Sequence, residues 1–274
     1  MTPAPSNHVF SGRRSGAARA FIDARLTVGS VAFSLEDLVR ETGLLPIAAK
    51  RQVQRLGRWV KKISRKQQFY LIVSPEHQTI GAPPASWWLH DYFKWLGHPY
   101  YLALQSAAEV YGSEPQALQV TQVMTDSSKP EITLGRQRIR FFLKKAIQRT
   151  PTQPLTQAMA PLQVSTPAAT AIDLVRYASR IGGLDRAVET LLPLVPMITA
   201  PALETALAAE DEPALGQRLG YVLELAGCDK LARAVEAWLP PHPAWTPLVP
   251  AKVDPKSLPA IPRWRLIQNA DLHI

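Results

Sequence analysis

The chain of 274 residues contains one cysteine, Cys228, so no internal disulfide can form and no disulfide framework replaces a hydrophobic core. It has no apolar run approaching the length of a membrane-spanning helix. The six histidines, at 8, 77, 90, 98, 242 and 273, are scattered, and none has the H-x-x-x-H or H-E-x-x-H spacing of a helix-borne zinc site. There is no glycine-rich phosphate loop. Gly112-Ser113 is not followed by the paired Asp-x-Asp with which a nucleotidyltransferase holds Mg²⁺. Met1 to Ser11 lacks the basic-then-apolar layout of a secretory signal, and a cytoplasmic setting is expected. Together these absences give metal, cofactor and catalytic readings little support.

The most informative absence is local. Between Lys50 and Lys66 stand eight cations (Lys50, Arg51, Arg55, Arg58, Lys61, Lys62, Arg65 and Lys66) and no acid. Residues 1–80 hold thirteen Lys and Arg against five acids, a surplus of +8 in a chain whose total is +9. Surface helices normally mix signs, so an unmixed run points to a polyanion. The rest of the chain is close to neutral, which suggests a second module with another task.

Around that run the pattern is helix, turn, helix, strand, wing, strand. A first helix is expected over Gly16 to Leu26. Ser34-Leu35-Glu36-Asp37 spells a capping box for a second, which Gly43 would end in a left-handed conformation. Pro46 suits the first position of a third helix, expected over Pro46 to Val60. At about 100° per residue, Ala49, Val53, Leu56 and Val60 form its core face. Arg51, Gln54, Arg55 and Arg58 lie opposite, with Ile47 near the start. Arg and Gln can make bidentate contacts to guanine or adenine edges, and an exposed Ile can touch a thymine methyl. Ile63 then opens a strand, Arg65-Lys66-Gln67-Gln68 forms the wing tip, and Phe69–Val73 returns. Lys50, Lys61, Lys62, Arg65 and Lys66 would lie along phosphates, which fix register without choosing sequence. Arg13, Arg14 and Arg19 would form either a basic arm reaching an adjacent groove or a basic tail. The expected organisation is a winged helix-turn-helix domain at 1–80.

Past the Pro/Gly-containing connector at 77–86, a second, mixed α/β domain is expected at 85–274, giving an α+β protein. Trp87, Trp88, Tyr92, Phe93 and Trp95 mark an aromatic helix whose spacing favours a core stripe over a base-stacking platform. A helix at Tyr101–Tyr111 and strands at Leu118–Thr125 and Glu131–Leu143 are expected to follow. Ser165-Thr166-Pro167 caps another helix. The chain is then mostly helical through Gly182-Gly183, Leu203–Ala209, Leu215–Ala226 and Leu231–Leu239. Eight prolines between Pro240 and Pro262 exclude regular structure before a last strand at Arg263–Asn269.

Several blocks in this half occur in a familiar order: YYLALQSAAEVYG (Tyr100–Gly112), LQVTQVMTD (Leu118–Asp126), VSTPAATAIDLVRY (Val164–Tyr177), GGLDRAVETL, QRLGYVLELAG (Gln217–Gly227) and RWRLIQN. With the winged helix ahead of them, they resemble the AbiEi-type antitoxins of abortive-infection, type IV toxin–antitoxin systems over nearly the whole chain. The resemblance implies a non-enzymatic antitoxin whose winged helix represses its own operon. It also implies a nucleotidyltransferase-like toxin encoded next door as the functional partner, with duplex DNA as the other. The chain departs from the family pattern where Leu44-Leu45-Pro46 replaces a capping Ser or Thr.

A second basic island, Arg136, Arg138, Arg140, Lys144 and Lys145, is a candidate phosphate- or toxin-facing surface. With a strand's period of two, its arginines would share one face over Ile139, Phe141 and Leu143. A charge-protected sheet edge explains the pattern equally. Cys228 is expected to be a small core residue. Glu210-Asp211-Glu212 is expected to form a cap before Pro213, and Asp173 has no evident partner. Two other readings stay open: an enzymatic second domain acting as a nuclease or toxin modifier, and a pure protein-interaction module.

Overall fold

The computed structural model describes residues 16–113, 118–155, 161–251, 254 and 257–272. The described residues divide into two compact units, the first spanning residues 16–97 with 132–138, the second the remainder. Arg13, Arg14, His8 and His273 lie outside the described residues.

The first unit contains α1 (Ala17–Thr27), β1 (Ala32–Ser34), α2 (Leu35–Thr42), α3 (Pro46–Arg55), β2 (Val60–Lys62), β3 (Phe69–Ile72) and α4 (Leu89–Leu96). Its sheet is antiparallel, in the order β1-β3-β2. Phe21, Phe33, Leu38, Ala49, Val53 and Ile72 fill the core between helices and sheet. The expected capping box opens α2: Asp37 N–H donates to Ser34 Oγ at 3.0 Å, and Ser34 N–H donates to the Asp37 carboxylate at 3.0 Å. Burial works to raise the Asp37 carboxyl, but the Ser34 amide and hydroxyl and the Arg40 guanidinium outweigh it and hold it below the ordinary range. Gly43, at φ +67°, ends α2, and Pro46 starts α3 as expected.

α3 is shorter than its apolar pattern implies. It stops at Arg55 because Gly57 adopts φ +56°, a 3-10 turn follows over Gly57–Trp59, and Val60 starts β2 instead of closing the helix. The aromatic helix also moves to the other unit: α4 belongs to the first compact unit, not to a domain beginning at 85. Phe69 of β3 packs against Tyr92 and Trp95 with ring centroids 5.4 and 5.3 Å apart, and Tyr92 OH donates to Gln67 Oε1 at 2.9 Å. Trp88 and Tyr92 are buried, in accord with a core stripe.

The expected strand over Glu131–Leu143 is a hairpin of β6 (Ile132–Leu134) and β7 (Gln137–Leu143), turned at Gly135 with φ +60°. Arg136 N–H donates to Ile80 O at 2.9 Å, and a Cβ on Gly135 would meet that carbonyl oxygen, so only glycine fits.

The second unit begins with β4 (Tyr100–Leu102) and α5 (Leu104–Val110), where a single helix was expected, followed by β5 (Val120–Thr125). β8 (Thr152–Leu155) and β9 (Leu162–Ser165) had no sequence signal strong enough to mark them. The strands line up as β7-β5-β4-β9-β8, with β4–β9 parallel and β4–β5 and β8–β9 antiparallel. Then come α6 (Pro167–Arg176), α7 (Leu184–Leu191), α8 (Ala200–Glu210), α9 (Pro213–Leu225) and α10 (Asp229–Trp238). Thr166 caps α6 by accepting from Ala169 N–H, as Ser165-Thr166-Pro167 suggests.

α6 is buried from Ala168 through Val175, and α5, α7, α8 and α9 surround it. The proline-rich tail is less irregular than its composition implies. It contributes β10 (Thr246–Pro247) and β11 (Ala260–Ile261), which flank β12 (Leu266–Ile267). Its anchor is Trp264, fully buried against Gly220 of α9. Gln217 Nε2 holds the same segment through Trp264 O at 2.8 Å. No described helix is long and apolar enough to cross a membrane.

Candidate nucleic-acid interface

α3 carries two kinds of surface because its sequence alternates them at helical spacing. Ala49 and Val53 are buried, and Leu56 packs partly against the same core. Ile47, Lys50, Arg51, Gln54 and Arg55 are all exposed. Beyond the helix, Arg58 and Lys61 are exposed, Lys62 is half-buried, and Arg65 and Lys66 are exposed on the loop between β2 and β3. Every candidate DNA-contacting residue therefore lies on α3, the turn after it, or the wing.

None of the eight cations forms an ion pair among the described residues. Among the described residues, Arg19 pairs with Asp23, Arg25 with Glu41, and Arg40 with Asp37 and Glu41, all on α1 and α2. The contrast is physical: Asp23, Asp37 and Glu41 are available in this unit, but the fold pairs them with arginines of α1 and α2. Between α3 and the wing lies a depression of about 310 Å³ lined by Lys50, Gln54, Gly57, Lys62, Gln68 and Tyr70. Burial pushes the Tyr70 phenol up, so it stays neutral and donates to Gln68 Oε1 at 2.7 Å. Lys62 Nζ donates to Arg65 O at 2.9 Å and stiffens the wing tip.

Two assignments need correction. Arg19 does not belong to an arm: it sits on α1, bonded to Asp23 at 3.0 Å with its guanidinium 5.3 Å from the Trp59 ring centre. Arg58 does not share the α3 face with Arg51 and Arg55, because the helix has ended. Its guanidinium lies 5.4 Å from the Trp59 ring centre. Sequence reasoning overlooked Trp59, whose place two residues after Gly57 was the available signal.

The second basic island does not survive as one surface. Lys144 is buried at 4 % exposure, where its ammonium meets Asp173 at 2.8 Å and also Glu210. Arg140 pairs with Glu131 at 3.2 Å. Arg136, Arg138 and Lys145 are exposed, and Arg136 and Arg138 lie in the stretch grouped with the first unit. Leu143, expected beneath the arginines, is 42 % exposed, whereas Phe142 is buried. Ile139 and Phe141 are buried as the period of two implies, and the pattern breaks at Phe142 and Leu143, where β7 ends.

The acids set aside in the sequence prove to be structural. Asp173 is fully buried on α6 and accepts from Tyr101 OH at 2.8 Å as well as from Lys144. Burial pushes its carboxyl up against the pull of the Lys144 ammonium. Glu210 and Glu212 each accept from Arg176 at 2.8 Å, so this loop is part of an ion network and not a simple cap. Cys228 is half-buried at the start of α10, not inside the core, and burial raises its thiol. No group of three or more His, Cys, Asp or Glu side chains among the described residues is placed to hold a metal.

The second unit is an α+β module built around one buried helix, α6. Residues 101–225 match the family model of the AbiEi antitoxin C-terminal domain. The match supports an antitoxin role in a toxin–antitoxin system.

The fold is similar to that of the Rv2827c protein of Mycobacterium tuberculosis in its crystal structure. The TM-score is 0.64 at 18 % identity, covering 92 % of this chain and 91 % of that one. An antigenic nucleotidyltransferase-like protein from Paracoccidioides brasiliensis is a distant match, with TM-score 0.34, 11 % identity, and 55 % and 90 % coverage of the two chains. No curated protein matches.

Proposed function

We propose that the chain is a DNA-binding antitoxin that represses its own operon and opposes a nucleotidyltransferase-like toxin. The first unit is read as a winged helix-turn-helix in which α2 and α3 are the paired helices and β2–β3 the wing. α3 lies in the major groove of the operator, where Arg51, Gln54 and Arg55 meet base edges. Lys50, Lys61, Lys62, Arg65 and Lys66 hold phosphates, and Arg58, beyond the helix end, joins them.

The observation that carries this reading is the run of eight cations over one continuous stretch with no acid partner among the described residues. An ordinary solvated helix face would show such partners. Toxin recognition rests on the antitoxin domain match, and the cytoplasm is the setting in which both roles meet.

Arg51→Ala and Arg55→Ala are each expected to cost about 1–3 kcal/mol on the preferred duplex and to relax preference at one base pair. Lys62→Ala is expected to weaken preferred and random duplexes alike and to flatten the salt dependence. Binding titrations on both duplexes check this. Equal losses on both for the two arginine variants would remove them from base recognition.

A further inference from the structure

The leading turn of α3 carries two large apolar side chains that the fold does not use. Leu45 and Ile47 are 69 % and 68 % exposed, whereas Leu44 and Ala49 beside them are buried at 2 % and 0 %. The sequence supplies apolar groups on both sides of this turn, and the core takes only one side. Ile47 precedes Arg51 by four residues and Gln54 by seven, so it continues the stripe that carries these hydrogen-bonding groups. Leu45 stands at the N-cap, where it offers no side-chain acceptor to the first free amides. A Ser or Thr would cap the helix at that position, so the apolar residue there does not serve helix stability.

We infer that Leu45 and Ile47 recognise the 5-methyl groups of thymine in the operator. The inference rests on α3 being the helix that enters the groove. Lys50, Arg51 and Arg55, which follow on the same helix, are exposed cations with no ion pair among the described residues, complementary to a duplex. Within the major groove, thymine is the base that presents an apolar group, its C5 methyl. N-terminal residues of a recognition helix are also those that approach base edges. Leu45 and Ile47 thus add an apolar half to a site whose polar half is Arg51, Gln54 and Arg55.

The test uses the full chain and a duplex it selects from a random-sequence pool at low salt. Each thymine of the selected duplex is replaced in turn by uracil, which removes only the methyl group. Wild-type protein is expected to bind about fourfold more weakly for each methyl it contacts. Ile47→Ala and Leu45→Ala are expected to bind the thymine and uracil forms equally at the position each one serves. Both residues are exposed, alanine is the better helix former at position 47, and at the N-cap it caps no worse than leucine, so folding is not at stake.

Equal binding of both duplexes by wild type, with Arg51→Ala still weakening them, would overturn the methyl contact and leave DNA recognition standing. A uracil penalty that persists in both alanine variants would assign the effect to duplex shape and overturn it too. Failure to select any duplex would overturn it together with the DNA-binding reading.

Discussion

Lys144→Ala is expected to lower the stability of the second unit by about 3–5 kcal/mol, because it strands the buried Asp173 carboxylate without its cation and leaves Glu210 with Arg176. Lys144 is 4 % exposed, Asp173 is fully buried and Glu210 is 5 % exposed, so water cannot take over. α6 sits inside a shell of helices and has no wet face on which to put Asp173. The ammonium is therefore the group that keeps a charged Asp173 tolerable, with Tyr101 OH completing its hydrogen bonding.

The deficit should shrink as pH falls. Without Lys144 the folded-state Asp173 carboxyl rises further above its unfolded value, so the folded variant binds more protons and gains stability on acidification. Urea midpoints across the acid-to-neutral range check both points. A variant with the wild-type midpoint at neutral pH would show that the network carries no weight. Asp173→Leu combined with Lys144→Met, which empties the pair of charge, should recover much of the loss.

The second large effect is expected at Gly220, and it runs against helix propensity. In an exposed helix interior, Gly→Ala gains roughly 1 kcal/mol. Here an added Cβ would lie 2.1 Å from Cζ3 of Trp264, with two more ring atoms at 2.4 and 2.6 Å. Trp264 is fully buried, and the segment around it is tied down by Gln217 and by the Arg263 ion pairs with Glu224 and Glu236. The indole therefore cannot swing aside cheaply.

Gly220→Ala should cost about 3 kcal/mol, at the upper end for overpacking. Gly216→Ala, whose Cβ meets the Trp238 ring at 2.8 Å, should cost less. Thermal or urea unfolding orders the two. A gain in stability at Gly220 would mean that the tail does not close on α9 as described.

These two sites also mark where sequence ceased to be legible. Local chemistry was readable: Ser34 with Asp37, Gly43, Pro46 and Thr166 each dictate a cap through groups within three or four residues. The α3 faces were readable because burial there has the helix period. Gly57 was the missed stop, since a glycine at a left-handed helix end looks like any other until its φ is known.

Lys144 was invisible for a different reason. Its partners, Asp173 and Glu210, lie far along the chain on separate helices, and only the packing of α6 and α8 brings three charges together. The same holds for Trp264 and Gly220. β8 and β9 are short, and α4 joins the first unit through Phe69 contacts that no periodicity announces. For the site itself, the cations and Ile47 were evident from the sequence, whereas the reassignment of Arg19 and Arg58 required the Trp59 ring.

The central claim is that the unpaired cations of α3 and the wing neutralise phosphates of duplex DNA. Its most direct measurement is the affinity of the purified protein for a duplex as a function of salt. Six phosphate contacts imply a log–log slope of about −5.4, or roughly an 1,800-fold loss between 50 and 200 mM salt. An affinity that stays flat over that range, or no binding at the low-salt end, would contradict the account.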